Sequence, residues 1–168
     1  MIKTTAIFIL SFCLISTPAL AGKTQDILGF HGHWTAYKHK DNGKTVCYIA
    51  SPPTSSKGNI KKRDPAFLLI THRPADNTRN VVSHVAGYKY NEKKPVVAEI
   101  DNRKYLMIPA KDTAWTPNQD TDNKFTTALK KGKKLVVTGI TNRDVKTVDT
   151  YDLKGVTKAM RIIDKACK

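Results

Sequence analysis

Three cysteines stand in the chain, at positions 13, 47 and 167, and where each falls constrains the fold more than any other feature. Cys13 lies in an apolar run over residues 6–15 that follows Lys3 and precedes Ala19-Leu20-Ala21, the three-part build of a secretory signal with cleavage between Ala21 and Gly22. A lipoprotein signal would need small residues just ahead of a cysteine that becomes the new N-terminus, whereas Cys13 follows Phe12 inside the apolar run. Residues 1–21 therefore read as a signal peptide and residues 22–168 as one mature domain, delivered to the periplasm, the cell surface or the medium. An exported chain meets an oxidising compartment, so the two remaining cysteines, Cys47 and Cys167, read as a disulfide. The alternative is two thiols buried apart. A loop on the order of 100 residues closed by such a bond is worth about 4.7 kcal/mol in the chain-entropy picture, comparable to the net stability of a small domain.

Between these cysteines the chain alternates. Short runs of apolar and β-branched residues over 66–73, 80–90, 95–101, 104–109, 133–142 and 145–153 are separated by Gly, Pro, Asn and Asp, the signature of strands. Two more runs, 33–40 and 44–51, flank Asp41-Asn42-Gly43; an Asn-Gly pair tolerates positive φ at both positions and predicts a tight hairpin. Residues 51–65 and 112–123 read as loops, and 125–131 as one or two helical turns ended by Gly132. Over 155–167 the period changes: Val156, Ala159, Met160, Ile163 and Cys167 recur at three and four, with Lys158, Arg161, Lys165 and Lys168 away from that face. The expected architecture is mainly β, an antiparallel sandwich or barrel-like single domain with a short C-terminal helix. A disulfide would fasten that helix to the strand carrying Cys47. No stretch after the signal approaches the roughly 20 apolar residues of a membrane-spanning helix.

The chemistry on offer is sparse. His31 and His33 would share one side of an extended segment, with His39 at the same parity, yet a zinc site takes three or four ligands and no carboxylate or free thiol lies near them in sequence. These are the only metal candidates, and no cofactor is expected. There is no Gly-x-Ser-x-Gly elbow, only two glutamates, Glu92 and Glu99, are present, and the aspartates fall mostly in turns. The chain reads as a non-enzyme. Its charge is more telling, with 29 Lys and Arg against 14 Asp and Glu and a net charge of +15, lowered by one when Lys3 leaves with the signal. Lys130, Lys131, Lys133 and Lys134 gather around Gly132, and further basic residues precede Asp64. Such an excess draws a protein to anionic surfaces. Nucleic acid is not the expected partner, since no recognition helix or aromatic platform is interleaved with the charge and export separates the chain from it. Anionic envelope or host-surface polymers are.

Trp34, the run Val46-Cys47-Tyr48-Ile49-Ala50-Ser51-Pro52-Pro53-Thr54, Gly87-Tyr88, Ala114-Trp115, Lys131-Gly132, Tyr151-Asp152-Leu153-Lys154-Gly155 and the terminal Ala166-Cys167 together resemble the invasion-associated locus B proteins, exported proteins of Gram-negative bacteria. The resemblance spans nearly all of the mature chain and implies a periplasmic or surface-associated β-sandwich-like domain, linked to bacterial entry into host cells and without an established enzymatic activity. It marks Trp34, Trp115, Tyr151 and Gly155 as fold-holding positions beside the two cysteines. Some members carry another cysteine shortly after the first tryptophan. Tyr37 and its neighbours offer none, which leaves a single bridge. Two other readings fit the same features: a chaperone-like or structural accessory of the periplasm, with an apolar groove or open strand edge, and a metal or small-ligand carrier.

Overall fold

Period-two alternation draws most of the chain into strands, and the computed structural model describes them over residues 25–168. The signal segment 1–21 and the Ala21–Gly22 cleavage pair lie outside the described residues. In chain order the elements are β1 (Gln25–His31), β2 (Trp34–Asp41), β3 (Lys44–Ser51), β4 (Ser55–Lys57), β5 (Phe67–Arg73), β6 (Thr78–Val85), β7 (Val96–Ile100), β8 (Arg103–Ala110), β9 (Thr113–Trp115), α1 (Gln119–Lys131), β10 (Lys134–Ile140), β11 (Lys146–Asp152) and α2 (Val156–Ala166). Every strand pairing is antiparallel.

The strands form one sheet in the order β1-β2-β3-β5-β6-β9-β8-β7-β10-β11-β4. It is an open sheet and not a closed barrel, because β1 and β4, its two edges, do not pair. The sheet doubles back at β8, whose residues from Arg103 to Met107 pair with β7 while Ile108, Pro109 and Ala110 pair with β9. Side chains of the two halves meet inside, as where the Tyr151 ring of β11 stands edge-on to His84 of β6 at 5.9 Å. The core between them holds Trp34, Ile49, Leu68, Ile70, Val82, Val96, Met107, Leu135 and Tyr151, all 0–1% exposed.

The helices fill what the doubled sheet leaves open. α2 buries Val156, Ala159, Met160 and Ile163 against β1, β2 and β3, and burial of each larger side chain contributes roughly 1.5–3 kcal/mol. Cys167, just past its end, is joined to Cys47 of β3, with an S–S distance of 2.14 Å and a Cα–Cα distance of 6.0 Å. Asp164 on the same helix accepts a hydrogen bond from His72 Nε2 at 2.9 Å, and Arg79 donates to the Cys167 carbonyl. The N-terminus of α2 depends on Gly155, whose φ of +97° and whose closeness to the His31 carbonyl, 2.2 Å from where a Cβ would stand, exclude other residues.

Three sequence expectations change here. The 112–123 stretch is not all loop: it contains β9 and the first turn of α1, which begins at Gln119 because the Asn118 side chain accepts the Thr121 N–H as an N-cap. The 51–65 loop contains β4, a short edge strand on β11. The segment before Trp34 is not one extended stretch, since β1 turns through Gly32 and His33 directly into β2, with His31 opposite Trp34.

Candidate functional site

The four lysines singled out in the sequence stand at the junction of α1 and β10. Phe125 and Leu129 bury one face of α1, with Phe125 against Tyr105 at 4.8 Å between ring centroids. This leaves Lys130 and Lys131 in the exposed last turn, where cations complement the helix C-terminus. Gly132 ends the helix, donating its N–H to the Ala128 carbonyl at 2.8 Å, and Lys133 and Lys134 follow. Asp101, in the β7–β8 turn, is the nearby acid, but its carboxylate accepts the backbone N–H groups of Lys133 and Lys134 at 2.9 and 3.3 Å. None of the four ammonium groups has an ion-pair partner among the described residues. Beside them lies a depression of about 180 Å³ lined by Asp101, Arg103, Lys131 and Gly132, too small for most ligand sites.

A second feature, which sequence reading missed, lies between the sheet halves. Along β11 the inward positions are Thr147, Asp149 and Tyr151, so alternation points a carboxylate into the core. Arg63, from the β4–β5 loop, grips Asp149 with two hydrogen bonds of 2.8 and 2.6 Å, and Ser56 donates at 2.7 Å. His84 Nε2 stands 3.4 Å from the same carboxylate, and its Nδ1 is 2.6 Å from the Tyr90 hydroxyl. Burial alone would raise the Asp149 carboxyl, but the His84 imidazole close by and the hydrogen bonds from Arg63 and Ser56 outweigh it and bring it down to about 2. Burial also pushes the His84 imidazole down, against the pull of Asp149, so the ring is neutral at pH 7. Nδ1 shares a hydrogen bond with the Tyr90 hydroxyl, while Nε2 has no hydrogen-bond partner among the described residues. His84, Asp149 and Tyr151 are each 0–1% exposed, so none of these groups reaches a substrate from solvent. The signal available in the sequence was a charged residue at an inward position of an alternating strand.

The remaining candidates separate. Trp34 is fully buried and its indole N–H donates to the Asp152 carbonyl at 3.0 Å; Tyr151 is fully buried, its hydroxyl without a partner among the described residues. Trp115 is 43% exposed: neighbouring Ala114 points inward, and the tryptophan lies on the outer face opposite Ile108 and Ser83. With Leu106, Ile108 and Phe67 also exposed, this face carries an apolar stripe. His31, His33 and His39 do not share one side of a segment, because the β1–β2 turn runs between the first two and His39 lies near the far end of β2. Among the described residues no three His, Cys, Asp or Glu side chains are grouped to hold a metal ion. No helix there is long and apolar enough to cross a membrane.

The fold has a counterpart among solved structures. The crystal structure of invasion associated protein b from Bartonella henselae superposes with a TM-score of 0.54 at 19% identity, covering 82% of this chain and 95% of that one; at that identity the likeness is one of fold. No curated protein matches by sequence. The model of the family described as Invasion associated locus B (IalB) protein matches residues 34–164, from the buried tryptophan of β2 to the aspartate of α2 that meets His72. The chain therefore belongs to the invasion associated locus B family.

Proposed function

We propose that this protein is exported and acts outside the cytoplasm as a non-enzymatic binding protein for an anionic component of the bacterial envelope or of a host surface. The observation that carries the reading is the end of α1 and the start of β10, where four exposed lysines stand together while the adjacent carboxylate is turned onto backbone N–H groups. Export draws support from the N-terminal signal pattern and from a disulfide suited to an oxidising compartment. The sealed surroundings of His84 and Asp149 favour a structural over a catalytic use of these groups. The family's description and the name of the Bartonella protein of like fold both speak of invasion, which accords with a partner on a host surface.

Capture of the oxidised protein on anionic phospholipid vesicles and on immobilised lipopolysaccharide, at low and high salt, tests the proposal. Binding should fall steeply as the Debye length shortens from about 10 Å at 0.1 M to about 3 Å at 1 M. It should weaken when Lys130, Lys131, Lys133 and Lys134 are changed to Glu; capture unaltered by both salt and charge reversal would overturn it. A second reading, a chaperone-like accessory, is favoured by the exposed stripe of Phe67, Leu106, Ile108 and Trp115. It predicts salt-insensitive suppression of client aggregation that Ile108→Lys abolishes.

A further inference from the structure

A cleft of about 640 Å³ opens where the β4–β5 loop, the segment after β6 and the β10–β11 turn converge. That volume falls within the roughly 300–1,000 Å³ of small-molecule sites. Lys61, Lys62, Lys89 and Arg143 line it, all exposed, and no carboxylate does. Asp144, next to Arg143 in sequence, is held elsewhere by Lys94 at 3.0 Å and Asn91 at 2.9 Å. None of the four cations has an ion-pair partner among the described residues. Four like charges around one concavity repel each other, so the walls must be held from behind.

They are. Directly after Lys61 and Lys62, Arg63 donates through Nε to the Ala86 carbonyl at 2.7 Å while its other nitrogens grip buried Asp149. The Asp64 N–H donates to the Gly87 carbonyl at 3.0 Å. Gly87 has φ +73° and would place a Cβ 1.9 Å from the Asp64 carbonyl oxygen, so only glycine lets these two walls close. On the other side, the Lys89 carbonyl accepts the Asn142 N–H at 2.8 Å, tying the second wall to the turn that carries Arg143. Tyr88, which also lines the cleft, is fixed by its hydroxyl to Thr147 at 2.5 Å and by the Arg63 guanidinium 5.1 Å from its ring centroid. The buried network thus acts as the foundation of a cationic site, and a site ordered in advance lowers the entropic cost of binding.

Cations distributed around a concavity suit a ligand with several anionic groups better than a single phosphate. Three of the four are lysines, which recognise charge without demanding the planar geometry of a guanidinium fork. The Asn142 side chain offers both donors and an acceptor to hydroxyl groups. We propose that this cleft binds an acidic saccharide, a short run of hydroxylated sugar units bearing phosphate, sulfate or carboxylate groups. The inference rests on the reading of the protein as an anion-binding envelope protein, but places the specific contact away from the Lys130–Lys134 cluster.

The test is calorimetric titration of the oxidised protein at low salt with four probes: a heparin-derived tetrasaccharide, a phosphorylated lipopolysaccharide core oligosaccharide, neutral maltotetraose and inorganic phosphate. At least one acidic saccharide should bind, with maltotetraose and phosphate far weaker, and which of the two acidic probes is preferred distinguishes a sulfated from a phosphorylated source. Lys62→Gln with Arg143→Gln should weaken that binding by about tenfold or more, whereas Arg161→Gln with Lys165→Gln, an equal loss of charge on the exposed side of α2 away from the cleft, should leave it unchanged. Both variants alter exposed side chains, and matching thermal transitions confirm that each is folded. Retained binding in the Lys62/Arg143 variant, or equal binding of maltotetraose, would overturn the inference. If acidic probes fail while anionic vesicles are still captured, the cleft assignment falls alone; if both fail, the anion-binding reading falls with it.

Discussion

Breaking the Cys47–Cys167 bond is the most demanding single perturbation this fold offers. The bond spans 120 residues of sequence, and the chain-entropy relation converts a loop of that length into about 16 cal/mol/K, or about 4.9 kcal/mol at 25 °C. Folded domains are stable by about 5–15 kcal/mol in total. The noncovalent hold on α2 survives reduction, because Val156, Ala159, Met160 and Ile163 remain buried and Arg79 and His72 still reach the end of the helix. The reduced protein should therefore stay folded but lose most of its margin. Urea titration of the oxidised protein, the protein in excess dithiothreitol and the Cys47→Ala/Cys167→Ala variant measures this directly; with a slope near 2 kcal/mol per M the midpoint should drop by about 2.4 M. Amide exchange in α2 should accelerate before that of the central strands. A drop under about 0.5 M, corresponding to about 1 kcal/mol, would refute the reasoning by showing that the tie does not restrict the unfolded chain.

The two tryptophans should part company in thermal or urea denaturation: Trp34→Ala should cost about 3–5 kcal/mol, while Trp115→Ser, on the outer face and 43% exposed, should cost about 1–2 kcal/mol. Asp149→Ala leaves the half-buried Arg63 without its ion-pair partner, with only the Ala86 carbonyl left to it, and should cost about 2–3 kcal/mol by the same measure. Acid titration of stability should show two windows. The depressed His84 value means that the unfolded chain takes up a proton first as pH falls below about 6.5, so stability begins to decline there. The Asp149 contribution, roughly 2–3 kcal/mol for a carboxyl brought from 3.8 to about 2, is present above 3.8 and lost as pH falls toward 2; His84→Phe should remove the first window and, because His84 helps hold Asp149 down, shrink the second. Gly155→Ala, forced into positive φ against the His31 carbonyl, should lower stability by about 1–3 kcal/mol and release the N-terminus of α2, visible as increased amide exchange.

What could be read in the sequence follows from how locally each element is specified. β2 and β3 are legible because Asn42 and Gly43 adopt φ of +49° and +79° at a hairpin flanked by alternating runs. α2 is legible because Val156, Ala159, Met160 and Ile163 keep a strict helical spacing. Signals vanish where an element is short or borrows its order from a neighbour. β4 is Ser-Ser-Lys and contains no apolar residue, so only its pairing with β11 makes it a strand. β1 carries a register shift between Ile27 and Gly29 that breaks its alternation. α1 did announce its start, through Asn118 and the acids at Asp120 and Asp122, a capping pattern outweighed by the polar character of the stretch. Trp115 shows a different limit, since its orientation depends on pairing with strands that precede it in sequence by some thirty and by a few residues, β6 and β8. The lysine cluster was visible because its members are sequential; the basic cleft was not, because Lys61, Lys89 and Arg143 come from three distant segments.

The course of β8 bears on how the molecule comes apart. One end of this strand is hydrogen-bonded into each half of the folded sheet, so neither half can detach without stripping partners from residues continuous with the other. A shared strand makes the two halves a single melting unit and denies the protein a stable, half-open intermediate in which the Arg63–Asp149 pair would meet bulk water.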